Sequence, residues 1–199
     1  MKTIRRFIVS IPKKIQDTIT TDSGLELYVD NRFNEFDHRT TSGEVVSSPL
    51  KYDTGVKVGD TLYFHHLVVL NDGQPLTGKD DNYLVFYDDE NPLGSQAIAC
   101  KCQETGEIRP LGGWSLLEPV EEADDITSDT IEIVNMEEKL PTKGRICFDS
   151  PWLEWLGVGA GDVVGFKQNM DYRIDIDGKE YYRVDPSDFL YVEEEVHND

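Results

Sequence analysis

One ten-residue pattern occurs twice in this chain. Gly55-Val56-Lys57-Val58-Gly59-Asp60-Thr61-Leu62-Tyr63-Phe64 follows G-V-x-x-G-D-x-x-x-F. Gly157-Val158-Gly159-Ala160-Gly161-Asp162-Val163-Val164-Gly165-Phe166 repeats it, with Gly59 and Gly161 standing 102 positions apart. A single Gly-Asp before an apolar run is ordinary turn-into-strand chemistry. Its return at the spacing of a small domain is the strongest constraint on the fold, because a chain of 199 residues has room for two domains of that size.

The flanks repeat in the same order. Thr41-Ser42-Gly43-Glu44-Val45-Val46 precedes the first copy and Thr142-Lys143-Gly144-Arg145-Ile146-Cys147 the second, each a glycine leading into an apolar strand. Upstream lie two apolar segments that end at proline, Arg6 to Pro12 and Trp114 to Pro119. Downstream come Tyr83 to Phe86 and Tyr181 to Val184, then the closing strands Ala97 to Cys100 and Phe189 to Val192. Short strands punctuated by Gly, Asp, Asn and Pro, with no long amphipathic helix, predict an all-β chain of two tandem small barrels. The expected domains are 1–102 and 103–199, divided in the polar stretch Lys101 to Gly106.

Charge and composition exclude several functions. With 19 basic and 39 acidic residues the net charge is −20, which repels phosphate backbones, so no nucleic-acid partner is expected. No apolar run reaches membrane-spanning length, and the apolar start stops at Pro12-Lys13-Lys14, too short for a signal peptide; a soluble cytoplasmic protein is expected. The three cysteines, Cys100, Cys102 and Cys147, are an odd number and no disulfide framework. Together with His65-His66 they lack the second matched ligand pair of structural zinc, so no metal is expected. Cys100 reads as the end of a buried strand, with Cys102 just outside it. Asp175-Ile176-Asp177-Gly178 lacks the spacing and closing glutamate of a calcium loop and reads as a hairpin with an Asp-Gly turn, as does Asp72-Gly73. There is neither a P-loop nor a G-x-G-x-x-G, and nothing orients a Cys-His nucleophile. No cofactor and no catalytic residue are expected.

The order of strands and motifs resembles the GroES co-chaperonin family. Ile108-Arg109-Pro110-Leu111 before Trp114 to Pro119 is similar to the start of a family member, and Val56-Lys57-Val58-Gly59-Asp60 to its best-known stretch. Gly43-Glu44-Val45 and Asp185 to Val192 resemble two further segments. The resemblance implies two GroES-like barrels in tandem, where typical members have one; plastid relatives have the tandem form and bacterial viruses carry divergent single-domain ones. It implies a co-chaperonin with no enzymatic activity of its own. Such a protein forms a homo-oligomeric ring, caps a GroEL-type chaperonin ring through mobile loops and assists ATP-dependent folding in the cytoplasm, a host's cytoplasm for a viral protein. Zinc-dependent alcohol dehydrogenases also contain such a barrel, but their nucleotide-binding half has no counterpart here.

The family's docking loop follows the first strand, which places the candidates at Lys13 to Arg39 and Glu121 to Lys139. In the first, Gly24 precedes Leu25, Leu27 and Val29, whose alternation sends the side chains to one face of an extended strand. In the second, Ile131, Ile133 and Val134 stand in Thr130-Ile131-Glu132-Ile133-Val134. Both segments read equally as barrel strands whose apolar face meets the core. The corresponding rival function is a structural or adaptor protein, for example of a virus particle, that uses the barrels as interaction modules. The acidic runs Glu118 to Asp125 and Glu193 to Glu195 read as solvated. The stretch Pro151-Trp152-Leu153-Glu154-Trp155-Leu156 reads as core of the second barrel, or else as a subunit contact in which exposed indoles become buried.

Overall fold

The computed structural model describes residues 2–15, 18–21, 23–28, 39–69, 75–76, 78, 81–91, 94–120, 142–153 and 156–193. The chain divides into two compact units, Met1–Gly112 and Gly113–Asp199. Both are all-β; apart from short 3-10 turns, no helix occurs among the described residues.

In the first unit, β1 (Arg6–Ser10) buries Phe7, Ile8 and Val9 in succession, the mark of a strand flanked on both sides. Its neighbours are β4 (Ser42–Ser47) and β6 (Asn82–Phe86). β5 (Thr61–Phe64), β7 (Ala97–Lys101) and β8 (Ile108–Pro110) extend the sheet in the order β6-β1-β4-β5-β7-β8. The alternating residues of β4 turn Val45 and Ser47 inward. Phe7, Val9, Val45, Leu62, Phe64, Tyr83 and Val85 form the centre of the core. Each large apolar side chain buried there contributes roughly 1.5–3 kcal/mol. Two more strands, β2 (Thr18–Thr20) and β3 (Glu26–Tyr28), pair only with each other.

In the second unit, β9 (Ser115–Pro119), β10 (Lys143–Phe148), β11 (Val163–Phe166), β12 (Tyr172–Ile176), β13 (Lys179–Val184) and β14 (Phe189–Val192) form a sheet in the order β12-β13-β9-β10-β11-β14. The Asp-Gly hairpin read from the sequence joins β12 to β13, with Asp177 and Gly178 at φ 58 and 79. Leu117, Ile146, Leu153, Val164, Phe166, Tyr182 and Val184 make the core.

Five strands of each unit follow one path. β6-β1-β4-β5-β7 corresponds to β13-β9-β10-β11-β14, and every pairing within it is antiparallel. The irregularities match as well, with register shifts between Tyr63 and Phe64 and between Gly165 and Phe166. The Gly-Asp turn shows why its sequence recurs. Gly59 and Gly161 have φ 94 and 102, a region closed to most side chains. Gly59 N–H donates to the Val45 carbonyl at 2.9 Å and Gly161 N–H to the Ile146 carbonyl at 2.8 Å. Asp60 Oδ2 accepts from Lys57 N–H at 2.8 Å, and Asp162 Oδ2 from Gly159 N–H at 3.0 Å. Each carboxylate therefore ties the turn that delivers the next strand.

Two expectations change. The described pairings make two open sheets and no closed barrel: β6 and β8 form the edges of one, β12 and β14 of the other. Trp152, expected in the second core, is exposed; Leu153 beside it fills that place, while Leu156 is also exposed. Trp155 lies outside the described residues. The Leu153 and Leu156 amides donate to the carbonyls three residues back, a tight turn that faces Leu153 inward and leaves Trp152 and Leu156 outside.

Candidate functional site

Because β1 and β4 are antiparallel neighbours, the segment between them leaves and returns at one end of the sheet. Its base is fastened. Thr40 N–H donates to the Lys14 carbonyl at 2.9 Å, and Thr40 Oγ1 to the Lys13 carbonyl at 2.6 Å. A β-bridge pairs Ile15 with Arg39 just beyond. An open groove of about 460 Å³ runs along this base, lined by Ile11, Pro12, Lys13, Thr40, Gly43 and Glu44 among others.

Beyond the base stands the ribbon of β2 and β3, in the register Thr18 with Tyr28, Ile19 with Leu27 and Thr20 with Glu26. Its turn is closed by Thr21, whose N–H donates to the Leu25 carbonyl at 2.9 Å and whose Oγ1 accepts from Leu25 N–H at 3.1 Å. Gly24 sits at φ 80 with open space where a side chain would project, so the turn needs glycine for its backbone alone. Leu25 is 59% and Leu27 47% exposed, and neither belongs to the core. The reading of these two residues as inward-facing core therefore fails. Tyr28, which the sequence reading passed over, is 87% exposed. Alternation places it on the face opposite Leu27, and the same alternation could have nominated it. A two-stranded ribbon is marginal in isolation, and its apolar side chains gain most by meeting a partner. Val29, Ile131, Ile133 and Val134 lie outside the described residues, as does Asp72-Gly73.

The remaining chemistry serves the sheets. Cys100 is buried in β7 and its Sγ accepts from Arg109 Nε at 3.3 Å; burial pushes its thiol up. Cys102, outside the strand, is held below the ordinary thiol range by a hydrogen bond with the Thr105 side chain. Cys147 Sγ donates to Glu118 Oε1 at 2.8 Å. Burial, then that bond, raises its pKa to about 11, while the bond and Lys179 beside it lower that of Glu118. A thiol so placed is a poor nucleophile. Arg183 lies between the rings of Trp114 and Tyr172, 4.0 and 4.8 Å from their centroids, and burial lowers its pKa to about 10. Among the described residues no three His, Cys, Asp or Glu side chains gather as a metal set. None of the described helices is long and apolar enough to cross a membrane.

No family model matches the chain. Over 93 residues it is 33% identical to the co-chaperonin GroES of Coprothermobacter proteolyticus, a match covering 94% of that protein and 43% of this chain. The chain belongs to the GroES co-chaperonin family. Nearly all of that family member is matched by less than half of this chain, whose two units trace the same five-strand path. Family membership points to a chaperone-type role and away from an enzyme.

Proposed function

We propose that this protein is a co-chaperonin built from two tandem GroES-like units, that it assembles into a homo-oligomeric ring, and that it caps a GroEL-type chaperonin ring. The docking elements are the segment between β1 and β4, through Gly24, Leu25, Leu27 and Val29, and its counterpart between β9 and β10, through Ile131, Ile133 and Val134. The observation that carries this reading is the exposed Leu25 and Leu27 pair, held away from the core on a ribbon with a fastened base. Membership of the family supports it. The action is in the cytoplasm, and the chain itself performs no catalysis.

Docking of this kind is weak per element and strong in number. A leucine gains roughly 1.5–3 kcal/mol on full burial. Since Leu25 and Leu27 are each about half exposed, covering them is worth about 1 kcal/mol apiece. One ribbon then contributes about 2 kcal/mol, roughly a thirtyfold change in affinity, and several ribbons on one ring multiply the gain. The modest single term lets the cap leave.

The test mixes the purified protein with a GroEL-type chaperonin and ATP and measures complex formation and protease cleavage between residues 16 and 38. A complex with protected loops is expected. Leu25→Asp with Leu27→Asp removes binding and leaves the unfolding midpoint unchanged, because neither side chain is in the core. Failure of the unmodified protein to bind, with loops protected already when free, overturns the proposal in favour of an adaptor role.

A further inference from the structure

The repeated path allows single positions of one unit to be compared with their counterparts in the other. Val45 and Ile146 correspond, since each accepts the N–H of its turn glycine. Val9 pairs with Val45 and Tyr83, and Leu117 pairs with Ile146 and Tyr182, so Tyr182 stands where Tyr83 stands. The next residues, Leu84 and Arg183, therefore share one position, opposite Ile8 in the first unit and Leu116 in the second. Both are partly buried. In the first unit an apolar side chain fills this place in the sheet; in the second a permanent cation stands there. Packing alone does not call for that charge.

The surroundings of Arg183 hold it in place without neutralising it. Its guanidinium carbon stands over the ring faces of Trp114 and Tyr172, which stabilise a cation but offer no acceptor to its N–H groups. Nε is enclosed and finds no hydrogen-bond partner. The same holds for Nε1 of Trp114, a residue only 5% exposed. Among the described residues no carboxylate forms an ion pair with Arg183. Asp185 acts on it only through space, its Oδ1 accepting from Ser187 N–H at 2.7 Å as a cap. Acidic residues outnumber basic ones by 39 to 19, so carboxylates are not scarce. A largely buried cation left without an anion is costly, and the cost is recovered when an anion arrives.

We propose that Trp114, Tyr172 and Arg183 form a binding site for a small carboxylate, which meets the Nη edge of Arg183 in the plane between the two rings. The geometry selects this ligand. With rings over the guanidinium and Nε closed in, approach is left to the Nη1 and Nη2 edge. Two parallel N–H groups on that edge match the two oxygens of a carboxylate. A carboxylate is flat and fits between ring faces, whereas a tetrahedral phosphate turns oxygens out of the plane and against them. The site goes beyond the co-chaperonin reading. None of its residues belongs to the docking segments, and it is tested without chaperonin, so failure of either one leaves the other standing.

The test follows the Arg183 Nε–H and Trp114 Nε1–H signals of the full chain, labelled with nitrogen-15, by nuclear magnetic resonance. Acetate and succinate are titrated at constant ionic strength against chloride. Both signals are expected to shift and saturate, with a dissociation constant on the order of 1 mM for so small a ligand. Inorganic phosphate is expected to bind roughly tenfold more weakly. Arg183→Lys keeps the charge and loses the planar pair of donors; read at Trp114, it should weaken carboxylate binding by about tenfold or more. Arg183→Leu installs the residue of the first unit. It should abolish the response while the unfolding midpoint holds or rises, since a cation without a partner is removed. Absence of a saturable shift with acetate and succinate, phosphate binding as tight as theirs, or a response that survives Arg183→Leu overturns the proposal. So does a lower midpoint in Arg183→Leu, which would make the arginine a structural pillar of the sheet.

Discussion

Asp60 and Asp162 occupy one position in two copies of a turn, yet their losses should differ. Asp60 is buried and accepts two backbone N–H groups, Lys57 at 2.8 Å and Gln103 at 3.0 Å. Asp162 is partly exposed and makes the counterpart of the first bond, to Gly159 at 3.0 Å. A hydrogen bond to a charged group is worth about 1.5–3 kcal/mol net. Asp60→Ala should therefore cost about 3–5 kcal/mol, and Asp162→Ala about 1–2 kcal/mol, lowered by water that can reach the freed amide. Asp60→Asn, which keeps one carbonyl acceptor, should fall between. The chain supplies its own assay: all three tryptophans, Trp114, Trp152 and Trp155, belong to the second unit. In urea, Asp162→Ala should shift the tryptophan transition, while Asp60→Ala should shift the far-ultraviolet circular dichroism more than the tryptophan signal. Equal losses at the two positions would refute the argument, since they would mean that the second bond of Asp60 contributes nothing.

Other outcomes follow from close contacts and shifted thiols. A Cβ at Gly144 would lie 2.8 Å from Leu117 Cβ and 3.0 Å from the Glu118 carbonyl oxygen, so Gly144→Val should cost about 1–3 kcal/mol or more, read as a lower tryptophan midpoint. Alkylation at pH 8 should modify Cys102 before Cys147, because one thiol is lowered and the other raised to about 11. Glu118→Gln should speed modification of Cys147 by removing the negative charge beside it. Since the folded state raises the Cys147 pKa from 9.0, its contribution to stability is whole below pH 9 and lost as the pH rises to about 11. An alkaline midpoint that does not fall over that range would contradict the burial of this thiol.

The matching turns of the two units were legible because their signals are local. A left-handed glycine followed by a capping aspartate can be read from adjacent letters, and so can Asp177-Gly178. The apolar strands that became β1 and β4 were legible for the same reason. What escaped was decided between distant segments. Ile108-Arg109-Pro110 looks like the opening of a second domain, and only pairing with Cys100 and Lys101 makes it the last strand of the first unit. Trp152 looks like core because it is large and apolar, but one turn cannot turn both Trp152 and Leu153 inward. Leu25 and Leu27 read equally as core or as a docking pair in the sequence; that both stand exposed follows from the pairing of β2 with β3 alone, and no periodicity carries it.

The register shift shared by the β5–β7 and β11–β14 pairs has a consequence for interchange between the units. In the first unit Tyr63 stands opposite Ala99; in the second the sizes are exchanged, with Gly165 opposite Tyr191 and the ring lying over the glycine. Copying the β5 stretch alone into the second half would set two tyrosines where there is room for one. Copying β11 alone into the first would leave glycine against alanine and a hole beneath the sheet. A strand exchanged between the units can therefore be accommodated only when its partner travels with it, so the unit of substitution here is the pair and never the single strand.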